Sequence, residues 1–349
     1  MSTWSDLKNT ARLKNIYDTR IAITKSVREF FWSQGFVETD TPIAVRLASQ
    51  EPYLNPMSVV LHDPTGQPAT MYLRTSPEYA LKKMLAAGYE KIFEIGKCFR
   101  DFESFGGNHN PEFTMLEWYR SPGTYQEIMD DAEKLFQYVG RQLQQESVIY
   151  KNHQVSILGN WDRLSMRQVW QQFLNVELND YLELGKLCEL ARSKGYAVEV
   201  ADAYEDVFYK IFLNEIEPQL GLAKPVFVYD YPAHLTSLSR LCDHDRRYAE
   251  RFELYVAGLE IANAFGELTD AKEQQEKLEA DKRKRGELGK EMWPVDPEFI
   301  GALESGIASA GGIALGIDRM VLLFTGAKDL NETIFQSAKD QLEAQDQFE

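Results

Sequence analysis

The feature that most constrains the fold is a set of apolar, extended runs that lie in pairs close together along the chain. In the first pair, Lys91 to Arg100 and Glu112 to Tyr119 are separated by a polar loop. In the second, Phe252 to Val256 and Leu259 to Phe265 flank the dipeptide Ala257-Gly258. Because links this short favour hairpins over parallel crossovers, each pair is predicted to be antiparallel. Helical patterns lie in blocks between the strands, which favours an α+β fold with an antiparallel sheet flanked by helices.

Length and composition are those of a folded protein with more than one structural unit. The 349 residues are 44% hydrophobic and 26% charged, which allows two domains or one large domain with an insertion. Residues 150–222 alternate helical patterns with polar turns and are predicted to be a helical insertion. No run approaches the ~20 apolar residues of a membrane helix, and we see no signal peptide. Three scattered cysteines form no disulfide framework, so we expect a cytosolic protein.

The charge balance bears on the choice of partner. The formal net charge is −16 at pH 7, and the one basic run is Lys282 to Arg285. Proteins that grip nucleic acid through its phosphates need clustered Lys and Arg. We therefore do not expect tRNA as a partner, and we interpret the basic run as a solvated face or end of a helix.

Arg100 ends the first extended run and faces the polar loop that follows it. Its planar guanidinium can bind two phosphate oxygens at once, which lysine cannot. The position therefore suits a phosphate site, while the alternative is an ordinary surface arginine in a hairpin.

The second hairpin carries a pair of glutamates. If Ala257-Gly258 is a two-residue turn, Tyr255 lies opposite Glu260, and Glu253 lies opposite Ala262. The side chains of Glu253, Glu260 and Ala262 then share one face of the sheet. Diagonal neighbours of this kind lie about 7–8 Å apart, so two carboxylates would repel unless a cation lay between them. Mg²⁺ bound to nucleotide phosphates is one such cation, and two exposed glutamates in water are the alternative.

Two further polar residues of the same segment break this alternation. Asn263 and Glu267 do not share the parity of Glu260, so in a regular strand they would face the other side of the sheet. A bulge between Ala262 and Ala264 is needed to bring these side chains into one site.

A third segment, Gly311 to Gly316, is followed closely by Arg319. Glycines let a backbone approach a ligand closely, and Arg319 would point a second fixed cation at the same region. The alternative is that the glycines serve tight sheet packing and that Arg319 pairs with Asp318 or another acid.

In this order, the segments resemble the catalytic core of class II lysyl-tRNA synthetases. Gln34 to Pro42 is similar to motif 1, Phe99 to Tyr119 to motif 2, and Gly316 to Arg319 to motif 3. Thr75 to Glu78 and Glu260 to Phe265 match between them. The resemblance implies a catalytic domain over residues 10–330 and an acidic C-terminal tail at 331–349. Because motif 1 begins almost at the N-terminus, no anticodon-binding OB-fold domain is expected.

This truncated form resembles a paralogue family, the elongation factor P (R)-β-lysine ligases. Ala262 and Ala314 follow the paralogue rather than the full-length synthetases. The resemblance implies an ATP-dependent, AMP-forming ligase that activates lysine or (R)-β-lysine as an adenylate and transfers it to a lysine of elongation factor P. It also implies Mg²⁺ and a homodimer. The alternatives are a truncated ligase that acts on tRNA or a small amine, and a non-catalytic regulatory paralogue.

The resemblance further implies roles for individual residues. Arg100 and Arg319 would be catalytic, and Glu253 and Glu260 would hold Mg²⁺. The ATP-binding residues would be Arg100, Glu103, His109, Asn110, Phe113, Glu253, Glu260 and Arg319. The substrate-binding residues would be Ser76, Glu78, Glu117, Tyr119, Asn263, Glu267 and Ala314. The motif 2 loop has one residue more than the family pattern, Phe102, which could displace Glu103.

Overall fold

The structure is a computed structural model that describes residues 4–345. The strands are β1 (Val37–Glu38), β2 (Ala44–Val45), β3 (Ser58–His62), β4 (Pro68–Leu73), β5 (Lys91–Phe99), β6 (Glu112–Arg120), β7 (Ser147–Tyr150), β8 (His153–Ser156), β9 (Asp162–Ser165), β10 (Val226–Pro232), β11 (Tyr248–Val256), β12 (Leu259–Gly266) and β13 (Gly311–Gly316). The α-helices are α1 (Trp4–Asn9), α2 (Ala11–Ser33), α3 (Glu78–Ala86), α4 (Tyr125–Leu143), α5 (Met166–Leu174), α6 (Leu184–Ser193), α7 (Tyr204–Ile211), α8 (Ala271–Glu287), α9 (Pro297–Glu304), α10 (Ile317–Thr325) and α11 (Ala338–Gln345). Short 3₁₀ turns and one π-helical turn, Phe212–Ile216, lie between these elements.

The main sheet has eight strands in the order β1-β5-β6-β13-β12-β11-β10-β9. The strands from β5 to β10 pair antiparallel, which confirms the predicted α+β fold and both predicted hairpins. The two outermost pairs correct the expectation of a purely antiparallel sheet, because β1 runs parallel to β5 and β9 parallel to β10. Long connections that contain helices separate the members of both pairs, and such connections permit parallel crossovers.

One face of the sheet packs against α2, α4 and α10 in the main hydrophobic core. Leu116 and Trp118 of β6 belong to this core and are fully buried. Their neighbours Glu117 and Tyr119 therefore point to the opposite face, since successive side chains of a strand alternate. The second face carries the polar residues that the sequence singled out.

Much of the segment at 150–222 packs in a second hydrophobic core. Helices α5, α6 and α7 and the π-helical turn pack around Trp170, Phe208 and Phe212. The segment also contributes strands, because β8 closes a hairpin with β7 and β9 extends the main sheet. The hydrophobic core of these helices continues onto β10 and β11 of the main sheet.

The segment after residue 330 includes residues that pack into the domain. Thr333 and Ser337 are almost fully buried, and α11 follows them. Residues 346–349 of the predicted tail lie outside the described residues. Within residues 4–345, no helix has the length and apolar character needed to cross a membrane.

Candidate active site

The hairpin of β11 and β12 turns at Ala257-Gly258 and contains a bulge. Tyr255 lies opposite Glu260, as the sequence predicts. The pairing then shifts, because Leu254 lies opposite Ala262 and leaves Ile261 as an extra residue. The predicted pairing of Glu253 with Ala262 is therefore wrong, and Glu253 lies opposite Asn263 instead.

The bulge decides which residues of β12 share a face. Because Glu253 and Tyr255 lie on one face of β11, their partners Asn263 and Glu260 also share that face. The sequence predicted a bulge near Ala262 to Ala264 for this purpose. The structure has the bulge, but at Ile261, so the predicted position is wrong. The regular register predicted Ala262 on the same face as Glu253 and Glu260. That prediction is wrong, because Ala262 belongs to the main core.

The second face of the sheet contains a pocket of about 250 Å³. Every site residue predicted from the sequence lines it, except Glu253. Residues far apart in sequence therefore come together here, from β6, β12, β13, α10 and the loop between β5 and β6.

Arg100 lies beside Phe113 at one end of this pocket. The guanidinium carbon is 5.0 Å from the centre of the Phe113 ring, which is within the range of a cation–π contact. Arg100 Nε is buried, and no residue of the described chain accepts a hydrogen bond from it. A buried donor without a partner costs free energy, so this position favours an anionic ligand.

The loop between β5 and β6 is held in place by contacts of its side chains. Phe102, the residue that the resemblance marks as extra, has a left-handed φ of 60° and an 88% exposed side chain. Glu103 still lines the pocket, where its Oε2 lies 3.0 Å from His109 Nδ1. The hydrogen bond from His109 lowers the pKa of Glu103. Asn108 in the same loop accepts a hydrogen bond from Tyr150 at 2.7 Å.

Arg319 in the first turn of α10 is fixed by backbone groups on two sides. Its Nη1 donates to the carbonyl of Glu260 at 2.8 Å, and its Nε to the carbonyl of Asn108 at 3.4 Å. The Glu260 carboxylate lies 3.5 Å from the same Nη1. Asp318 does not pair with Arg319 but with Arg20. The Arg319 guanidinium therefore links β12 to the loop between β5 and β6, which follows Arg100.

The two glutamates predicted to bind metal have different surroundings. Glu260 lines the pocket, and burial together with the nearby Glu253 raises its pKa. Glu253 accepts hydrogen bonds from Tyr231 at 2.6 Å, from Tyr255 and from Arg251, so both of its oxygens are engaged. Glu260 is thus the carboxylate at the pocket wall, and Glu253 would have to exchange a partner to reach a cation.

Several carboxylates line the other end of the pocket, and two of them pair with Lys82, a buried residue that sequence reasoning missed. Lys82 Nζ lies 2.5 Å from Glu78 and 2.6 Å from Glu267. Although burial lowers the pKa of Lys82, these two carboxylates raise it above its usual range. Glu78 and Lys82 are four residues apart on a predicted helix, which was the available signal. The contact with Glu267 spans the fold and left no local signal.

Glu117 belongs to this acidic region and forms no ion pair with a basic side chain of residues 4–345. Ser76 donates a hydrogen bond to one of its oxygens, and Tyr119 donates to the other at 3.0 Å. Burial raises the pKa of Glu117 to about 8, with a further contribution from the charge of Glu78. A ligand with an ammonium group would supply the counter-charge that this carboxyl lacks.

Comparison with known proteins places these motifs in context. The family model of class II tRNA synthetases (D, K and N) matches residues 2–339. The chain is 35% identical over 338 residues to the elongation factor P–(R)-β-lysine ligase of Proteus mirabilis, covering 96% of this chain and 98% of that protein. Proteins of the same name are 36% identical in Photorhabdus laumondii and 37% in Salmonella dublin, with the same coverage.

Proposed function

We propose that this chain, which belongs to the elongation factor P–(R)-β-lysine ligases of the class II tRNA synthetase family, acts in the cytosol. It is an ATP-dependent aminoacyl ligase that activates lysine or (R)-β-lysine and transfers it to a lysine side chain of elongation factor P. The observation that carries this proposal is the meeting of Arg100 and Arg319 at one pocket rich in carboxylates.

In the first half-reaction, the substrate carboxylate attacks the α-phosphorus of ATP. A phosphorus–oxygen bond forms to the amino acid, and the bond to the β-phosphate breaks, so that pyrophosphate leaves with the electron pair. Arg100, whose buried Nε has no partner among the described residues, would bind the α-phosphate and the substrate carboxylate. Arg319, which is held by the Glu260 carbonyl, would bind the other phosphates. Both act by positioning and by neutralising charge that develops in the transition state.

The pocket also fits a divalent cation. Carboxylate oxygens are preferred ligands of Mg²⁺, and Glu260 presents them at the pocket wall. We assign Glu260 and, after exchange of one partner, Glu253 as the residues that would hold it. Mg²⁺ supplies charge neutralisation on the triphosphate.

The acidic end of the pocket suits the amino acid. Lysine and β-lysine each carry two ammonium groups, and Glu78, Glu117 and Glu267 offer three carboxyl groups, of which two already share Lys82. Glu117 forms no ion pair within the part of the chain that the structure describes, so we assign it to a substrate ammonium. Ser76, Tyr119, Asn263 and Ala314 complete this part of the wall.

The proposal is tested by following a radiolabelled amino acid. The purified protein is incubated with ATP, Mg²⁺ and labelled lysine or (R)-β-lysine, together with equal amounts of elongation factor P and total tRNA. We expect label on elongation factor P, and none when its acceptor lysine is changed to arginine. Label on tRNA alone, or no ATP-dependent label on either, would contradict the proposal.

We also propose that the chain forms a homodimer through the outer face of α2. Ile21 and Trp32 are 57% and 54% exposed and lie on one side of α2, since eleven residues make about three helical turns. Val37, after the end of this helix, is 48% exposed. A second copy of the same face would cover them. Sedimentation velocity should give a dimer for the native chain and a monomer for Trp32→Asp. Leu184→Asp, on the exposed part of α6, is the control that should stay dimeric.

A further inference from the structure

A second cavity of about 800 Å³ lies next to the pocket. Its walls come from the segment 51–54, from α7 and the π-helical turn of the insertion, and from α8. We call this second cavity the groove. It meets the pocket at three residues that line both cavities, Glu51, Asn263 and Phe265.

The wall of this groove carries an excess of negative charge. Its carboxylates belong to Glu51, Asp202, Glu205, Asp206 and Asp281. Its two cations are already engaged within the protein, since Lys210 lies 2.5 Å from Asp202, and Arg251 pairs with Glu253 outside the groove lining. A partner segment that binds in this groove should therefore carry positive charge.

Glu51 is held at the junction by its backbone. Arg285 Nη1 donates to the carbonyl of Glu51 at 2.8 Å and to that of Leu54 at 2.9 Å, while Lys290 donates to the carbonyl of Pro52 at 2.7 Å. The carboxylate itself forms no hydrogen bond or ion pair with any residue in 4–345, and only burial and the charges of its neighbours act on it. The backbone is thus fixed and the side chain is free to receive a ligand.

The surroundings of Glu51 suit proton transfer near neutral pH. Burial raises its pKa to about 7, and the negative charges of Glu78 and Asp281 act in the same direction. The positive charges of Arg100 and Arg251 act against this rise. A carboxyl group with a pKa near the working pH can both accept and release a proton.

We propose that Glu51 binds the ammonium group of the acceptor lysine where the groove meets the pocket and removes its proton for the transfer step. This assignment rests on the proposed ligase function. The proton passes from the ε-nitrogen to the Glu51 carboxylate, and the freed lone pair attacks the carbonyl carbon of the adenylate. The carbon–oxygen bond to AMP then breaks, AMP leaves with the electron pair, and the second proton passes from nitrogen to the leaving phosphate or water.

The test separates the two half-reactions. Adenylate is first formed on the enzyme with ATP, Mg²⁺ and labelled (R)-β-lysine, or lysine if that is the substrate, and is then mixed with elongation factor P in a single turnover. For Glu51→Gln we expect transfer slower by ~10²- to 10⁴-fold, the usual contribution of a general base. The native rate should rise with pH through about 7, and the variant should lose this rise. Glu51→Asp, which keeps a carboxylate, should be intermediate.

Three comparisons make the result specific. Hydroxylamine, a nucleophile that is unprotonated at neutral pH, should trap the adenylate equally fast on native and Glu51→Gln enzyme. Glu205→Gln, a change in the groove wall at a residue that does not line the pocket, should raise the KM for elongation factor P without changing the rate at saturation. Glu189→Gln, on the exposed face of α6, should change neither.

The following results would overturn the assignment. If Glu51→Gln transfers the amino acid at the native rate with saturating elongation factor P, Glu51 is not the general base. An equal loss in pyrophosphate exchange and in transfer would instead make Glu51 part of amino-acid binding. If the native enzyme transfers no label to elongation factor P at all, the proposed function fails, and the assignment fails with it.

Discussion

Gly312 lacks a side chain at a point where two pocket residues need the space. A Cβ atom there would lie 2.2 Å from the ring of Tyr119 and 2.3 Å from a carboxylate oxygen of Glu267. Both neighbours line the acidic end of the pocket, where we place the amino acid. This glycine therefore gives room to the side chains of the site, in addition to its place in the sheet.

Gly312→Ala should weaken binding of the amino acid because Tyr119 and Glu267 must move. Overpacking of this kind costs about 1–3 kcal/mol, which corresponds to a roughly 5- to 150-fold higher KM for lysine or β-lysine in pyrophosphate exchange. Gly301→Ala is the matched control, since an added Cβ on α9 meets nothing within 4 Å. An unchanged KM in Gly312→Ala would show that the pocket end is looser than the structure describes.

Glu117 should make the stability of the protein depend on pH. Burial raises its pKa from 4.5 to about 8, so between these values the folded protein holds a proton that the unfolded chain has released. Stability therefore falls as pH rises through this window and levels off above it. In urea unfolding from pH 5 to 9, Glu117→Gln should lose less stability with rising pH than the native protein. Parallel pH curves for the two proteins would contradict the raised pKa.

At the scale of elements, α8 differs from the solvated helix end that its basic run predicts. Arg285 is buried, lies 4.2 Å from the Trp293 ring centre and donates to carbonyls of the segment 51–54. Arg283, two residues earlier, is exposed as expected. A charge run shows which residues favour water on average, but not which one of them meets a buried set of carbonyl groups.

Arg285→Met should lower the free energy of unfolding by about 2–4 kcal/mol, because it keeps apolar contact with Trp293 but leaves buried carbonyls without a donor. Arg283→Met should change it by less than about 0.5 kcal/mol. Hydrogen exchange should also become faster in the segment 51–54 of the first variant only. Equal stability of both variants would contradict the anchoring role of Arg285.

The hairpins illustrate what local sequence can and cannot predict. The turn at Ala257-Gly258 and the pair Tyr255–Glu260 follow from nearest neighbours, and both were predictable. The need for a bulge was also predictable, because Asn263 has the wrong parity in a regular strand. Its position at Ile261 was not, since it depends on packing against both neighbouring strands. The sequence also did not predict a role for Lys82 or Glu51, because the residues around them come from distant segments.

For the whole molecule, the fold class was predictable because most of the sheet is built from antiparallel neighbours. The parallel edge pairs were not, because β1 and β9 are short and join the sheet only through long connections. The site has the same character. Motif resemblance gave its residues, whereas the fold explains why they meet, with β6, β12 and β13 side by side and α10 at the end of β13.

If two guanidinium groups from distant segments converge on one ATP, both are needed for the amino-acid-dependent exchange of pyrophosphate into ATP. Arg100→Ala and Arg319→Ala should each reduce the rate by ~10²-fold or more, and Arg100→Lys should recover little because lysine lacks the planar fork. Arg192→Ala, exposed on α6, is the control. Loss of exchange in both site variants with a native control is the predicted result. Native exchange in Arg100→Ala or Arg319→Ala would show that the two guanidinium groups do not act together on ATP.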